Sequence, residues 1–131
     1  MSHTILLVDD SELVRHSLRL CIEENSDWEV CGEAENGKVA VEKVRELHPD
    51  VVILDLQMPV MNGLEAAREI SHIAPTTAMV MFTAYDCGPL SQQAHDAGIK
   101  DVLSKFDGVA DHLLASLEDL RLHAEFRPGS D

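Results

Sequence analysis

At 131 residues with a hydrophobic fraction of 45%, the chain has the length of one ordinary domain with a sizeable core and is too short for two comfortable ones. No apolar run approaches the roughly 18 residues that a membrane span requires, and a formal charge of −14, with ten Lys and Arg scattered along the chain, argues against direct nucleic-acid binding, which needs clustered cations against phosphate. Cys21, Cys31 and Cys87 form no Cys-x-x-Cys, the seven histidines are dispersed, and the opening Met-Ser-His-Thr is no secretory signal, so neither a disulfide framework nor a zinc site is expected and the location is expected to be cytoplasmic.

Ile5 to Val8 is a short apolar run that ends in Asp9-Asp10, which reads as a first strand. Ser11 can cap a helix reaching about Asn25, with Val14, Leu18, Cys21 and Ile22 at helical spacing and Leu13 and Leu20 widening its inward stripe. Trp28 to Ala34 reads as a second strand. Asn36-Gly37 opens a helix with Ala40, Val41, Val44 and Leu47 on one side, closed by His48-Pro49. Val51 to Leu54 is the third strand, four aliphatic residues in a row that run straight into Asp55. Met58-Pro59 forbids simple continuation of that strand, and Asn62-Gly63 gives a second turn signal.

Leu64 to Ile73 is predicted to be the third helix, with Leu64, Ala67, Ile70 and Ile73 inward, ended by Pro75. Ala78 to Phe82 is a continuous apolar fourth strand that runs into Thr83. Pro89 to Ala97 is a weaker helix carrying Leu90 and Ala94, and Gly98 suits the left-handed residue after its end. Val102-Leu103 is the fifth strand and leads to Lys105. Val109 to Ala124 is the fifth helix, with Leu113, Leu114, Leu117 and Leu120 as its seam. One domain is expected over residues 1–125, with 126–131 as a tail or the start of a linker.

A strand that is apolar on both faces is what a parallel sheet covered by helices on both sides requires. Five strand-then-helix units therefore predict an α/β fold, a doubly wound (βα)5 three-layer sandwich with a parallel five-stranded sheet. The order 2-1-3-4-5 is common for such a sheet, with its ligand site at the carboxyl ends of the strands. That order sets Asp9, Asp10 and Asp55 side by side.

Three converging carboxylates repel one another and raise each other's pKa unless a cation neutralises them. A hard divalent ion such as magnesium suits them, because it binds through one or two carboxylates and keeps open positions for phosphate oxygens. One carboxylate is then free to attack phosphorus and form an acyl phosphate. Lys105 can offer a point charge and Thr83 a hydroxyl to the phosphoryl oxygens.

Asp9-Asp10, Asp55 within Leu-Asp-Leu-Gln-Met-Pro, Asn62-Gly63, Thr83-Ala84 and Lys105 together resemble the receiver domain of two-component response regulators, over residues from about 4 to 122. The resemblance implies that Asp55 is the phosphoacceptor, that Asp10, Asp55 and the Gln57 carbonyl oxygen ligate Mg2+ (or Mn2+), and that Asp9 acts mainly through water. It further implies that Thr83, the Ala84 backbone N–H and Lys105 hold the phosphoryl group, and that Gln57 and Tyr85 border the path of the hydrolytic water. The donor would be a sensor histidine kinase or a histidine phosphotransfer protein. Helix four, strand five and helix five would face a second copy or a downstream protein, with no membrane and no direct nucleic-acid contact.

Two positions depart from the family pattern: Phe106 stands where many receivers have Pro, and Val102 where many have Tyr or Phe. A phosphatase of the haloacid-dehalogenase type is the alternative, and it needs a second Asp two residues after the nucleophile. Gln57 occupies that place.

Overall fold

Five strands alternate with five helices over residues 3–84, 87–105 and 109–125, which are those that this computed structural model describes. The elements are β1 (His3–Val8), α1 (Glu12–Asn25), β2 (Trp28–Ala34), α2 (Gly37–Leu47), β3 (Val51–Leu54), α3 (Gly63–Ile73), β4 (Ala78–Thr83), α4 (Cys87–Asp96), β5 (Asp101–Ser104) and α5 (Val109–Glu125). All four strand pairings are parallel, in the order β2-β1-β3-β4-β5 expected from the sequence. The tail from residue 126, Tyr85 and Phe106 lie outside the described residues.

Alternation along each strand splits the core in two. Leu6, Val8, Val52, Leu54, Met79 and Met81 face α2, α3 and α4, where Val44, Ala67, Ile70 and Ala94 meet them. Ile5, Leu7, Ile53, Val80 and Phe82 face the other way, against Leu18 and Ile22 of α1 and Leu113 and Leu117 of α5. Each fully buried aliphatic side chain contributes about 1.5–3 kcal/mol relative to exposure, and these contacts, with those of their apolar neighbours, dock the helices on the two faces of the sheet. No helix among the described residues is long and apolar enough to cross a membrane.

The expected breadth of the α1 stripe is corrected. Leu13 and Leu20 are 74% and 45% exposed, because the seam runs through Val14, Leu18 and Ile22 at intervals of four and leaves both of them off the docked face. Leu47 is also exposed, lying over Gly32 at the end of α2.

The caps follow the residue types. Ser11 Oγ accepts from the Val14 N–H, and Asn36 Oδ1 from the Val39 N–H. Asn62-Gly63, expected as a turn, is instead the N-cap and first residue of α3. Asn62 Oδ1 accepts from the Glu65 N–H while the Glu65 side chain accepts from the Asn62 N–H, a reciprocal capping box. Gly98 has φ 96° after α4, as expected.

Candidate functional site

The site begins as a continuation of the sheet. Val8 pairs with Leu54 across β1 and β3, and the ladder runs one residue further on each side. The Asp9 N–H donates to the Ala34 carbonyl oxygen at 3.0 Å, and the Asp55 N–H to the Val8 carbonyl oxygen at 2.9 Å. Two adjacent strands thus end in carboxylates held by backbone bonds, and the Asp9, Asp10 and Asp55 carboxylate oxygens come within 4.8 Å of one another. Asp9 and Asp55 are buried, at 2% and 8% exposure, whereas Asp10 is exposed.

Lys105, just past β5, reaches over this cluster. Its Nζ lies 2.9 Å from Asp9 Oδ2 and 3.4 Å from Asp55 Oδ1. Its backbone N–H donates to the Thr83 carbonyl oxygen at 2.8 Å, and the ammonium stands 5.6 Å from the centre of the Phe82 ring. Burial works to lower the Lys105 pKa, but the hydrogen bond and charge of Asp9, reinforced by Asp55, outweigh it and hold the ammonium above its ordinary range. Burial and the charge of Asp9 push the Asp55 carboxyl up, and Lys105 and the Leu56 N–H only partly offset them.

Asp9 and Asp55 differ in how their oxygens are engaged. Asp9 uses both, Oδ1 accepting from the Ser11 N–H at 2.9 Å and Oδ2 from Lys105. Asp55 receives the Leu56 N–H, at 2.9 Å, and Lys105 on the same atom, Oδ1. No bond among the described residues goes to its Oδ2, and because no fully buried side-chain oxygen lacks a partner, that oxygen is open to approach. Beside Asp10 an open cleft of about 320 Å³ is lined by Gln57, Met58, Pro59 and Asn62. The donor set suits a hard divalent cation: three carboxylates face one ammonium, an excess of two negative charges.

Thr83 is fully buried at the end of β4, and Ala84, next in the chain, is exposed. Gln57 is exposed on the cleft. Val102 is half-buried against the α2–α4 side of the core. Asp9, Asp10, Asp55, Gln57, Thr83, Ala84 and Lys105 therefore lie at one end of the sheet, although among the described residues no hydrogen bond ties Thr83, Ala84 or Gln57 to the carboxylates.

Sequence reading missed three supports. A Cβ on Gly63 would overlap the Asp55 carbonyl oxygen, so α3 starts flush against the Asp55 backbone, with the Gly63 N–H donating to the Leu56 carbonyl oxygen at 2.7 Å. An Asn-Gly pair carries the glycine signal but not its reason. Val60 takes φ 71° inside a three-residue turn closed by the Met61 N–H on the Pro59 carbonyl oxygen at 2.7 Å. That is a strained conformation for a β-branched residue, and nothing in the sequence signals it. The third support, Arg15 with Glu33, rests on contacts between residues far apart in the chain.

The family model of the response regulator receiver domain matches residues 5–117. The chain is similar to the chemotaxis protein CheY of Thermotoga maritima, 40% identical over 105 residues that cover 80% of this chain and 87% of CheY. It is also similar to the transcriptional regulatory protein YdfI of Bacillus subtilis, 43% identical over 101 residues, covering 77% of this chain but 47% of YdfI, so it spans just under half of that relative. The crystal structure of the response regulator domain of Thermotoga maritima CheB superposes with a TM-score of 0.83 at 34% identity, covering 93% of this chain and 96% of that one.

Proposed function

The chain belongs to the family of response regulator receiver domains, the phosphorylation switches of two-component signalling, and from that premise we propose that Asp55 accepts a phosphoryl group from the phosphohistidine of a sensor histidine kinase or a histidine phosphotransfer protein. The single observation that carries the assignment is the asymmetry of Asp55: its Oδ1 takes both the Leu56 N–H and Lys105, which leaves Oδ2 to attack. Asp9, with both oxygens engaged, is the poorer nucleophile.

Asp55 Oδ2 forms the new O–P bond while the P–N bond of the donor breaks and its electron pair goes to the imidazole. Lys105 Nζ, the Thr83 hydroxyl and the Ala84 N–H serve as donors to the phosphoryl oxygens, which carry the spread charge of the transition state. A magnesium ion, or manganese in its place, held by Asp10, Asp55 and the Gln57 carbonyl oxygen with Asp9 acting through water, supplies positive charge to those same oxygens when bound. Water attacking in line with the Asp55 oxygen releases phosphate and restores the carboxylate. Signal output is assigned to α4, β5 and α5, through a homodimer or a downstream protein. A phosphatase of the haloacid-dehalogenase type is disfavoured by Gln57, which provides no carboxylic acid two residues after Asp55.

Treating the protein with a small phosphodonor should add the mass of one phosphoryl group, in a magnesium-dependent reaction, and Asp55→Asn should take up none. An adduct that forms equally in Asp55→Asn, or without any divalent ion, would overturn the assignment.

A further inference from the structure

The Arg15 guanidinium of α1 joins two groups that the chemistry above leaves unused. Its Nη1 donates to the backbone carbonyl oxygen of Asp9 at 2.5 Å, and its Nε donates to Glu33 Oε1 of β2 at 2.7 Å. The other Glu33 oxygen accepts from Arg19, from Nε at 3.1 Å and from Nη2 at 2.7 Å. Arg15 is the better buried of the two arginines, its side chain 14% exposed against 34%. Burial of Glu33 would raise its carboxyl, but the hydrogen bonds from Arg19 and Arg15 prevail and hold it below the usual carboxylate range, so the fork stays charged.

The Asp9 carbonyl belongs to the planar peptide that leads into Asp10. Two other bonds, from the Asp9 N–H to Ala34 and from the Ser11 N–H to Asp9 Oδ1, secure Asp9 and the start of α1. Among the described residues, the bond from Arg15 is the one that fixes the direction of the Asp9–Asp10 peptide, and the exposed Asp10 side chain has no bond of its own. We propose that Arg15, locked by Glu33, is a positioning residue that presets the Asp9–Asp10 peptide, so that Asp10 meets a divalent cation without rearrangement. The proposal rests on the magnesium reading given above.

Charge alone predicts the opposite sign. A cation behind three carboxylates repels a metal ion, so removing it should tighten binding, whereas loss of an outer support that orients a ligand weakens binding roughly 10–100-fold. A lysine keeps the charge but lacks the planar fork that reaches both Glu33 and the Asp9 carbonyl.

The test titrates Mg2+ into the full chain and into the R15K, R15Q and R19Q variants by calorimetry, and records the amide spectrum of each without metal. Arg19 shares Glu33 but does not touch Asp9, so R19Q reports loss of the cluster alone. R15K and R15Q should bind Mg2+ roughly tenfold or more weaker and shift the Asp10 amide in the metal-free spectrum, while R19Q does neither. The proposal falls if R15K binds like the wild type, if R15Q binds tighter, or if R19Q loses as much as R15K. Should the wild type itself bind no Mg2+, the metal reading fails, and the metal-free spectra decide about Arg15 alone: an Asp10 amide shifted in R15K and unshifted in R19Q sustains its role, and any other pattern ends it.

Discussion

Lys105 is tethered to Asp9 more closely than to Asp55, at 2.9 Å against 3.4 Å. At rest, then, the ammonium is held by the one carboxylate and leans over the other. Lys105→Met leaves Asp9, 2% exposed, as a buried charge without its partner, which costs about 1–3 kcal/mol. Urea unfolding should show that loss, partly recovered on adding Mg2+. Because the Lys105 pKa is raised, the stability that the wild type draws from it is present in full below the ordinary value of 10.5 and fades as pH rises through the folded value. A variant as stable as the wild type at neutral pH without metal would contradict the pairing.

Asp55→Asn should abolish phosphorylation and at the same time stabilise the fold. Burial and Asp9 raise the Asp55 pKa, so the native state holds its proton more tightly than the unfolded chain, and wild-type stability falls as pH rises from the ordinary value of 3.8 through the raised one. The gain of Asp55→Asn is therefore expected at neutral pH and should vanish in acid. Thermal denaturation at several pH values reads it directly, and a gain that persists below the ordinary value would point to another cause.

For Asp10→Ala the expected loss is in metal affinity, at least roughly tenfold, with little change in stability, since the side chain is exposed. NMR titration with Mg2+ measures the affinity, and urea unfolding without metal measures the stability. Equal affinity in variant and wild type would remove Asp10 from the ligand set.

Gly63→Ala tests the close approach of α3 to Asp55. The added methyl must push against the Asp55 carbonyl oxygen, an overpacking that costs about 1–3 kcal/mol. It should also slow phosphorylation, because the backbone it displaces is that of Asp55, the proposed phosphoacceptor. Normal stability together with a normal rate would show that the gap accommodates a Cβ.

The fold could be read from the chain because its signals are local. Val51 to Leu54 is apolar on both faces, as a doubly covered strand must be, and Ser11, Asn36 and Asn62 stand where helices need caps. That Asp9, Asp10, Asp55 and Lys105 would converge could be read because strands of this fold deliver their ends to one place. Leu13 and Leu20 misled because hydrophobicity says what a residue prefers, not which way it points once Leu18 and Ile22 have fixed the rotation of α1. Arg15, Glu33 and the strained Val60 turn stayed hidden because each is defined by three-dimensional neighbours or backbone angles with no signature at short spacing.

The sheet that splits the interior has a consequence for how such a chain can change over generations. Ile70 and Leu117 lie on opposite sides of a wall of strands and share no apolar cluster, so substitutions at the two should add in their effects on stability. Each compartment can accumulate and compensate its own replacements. Replacements beneath α2, α3 and α4 can then be offset among themselves without disturbing α1 and α5, which meet the opposite face of the sheet.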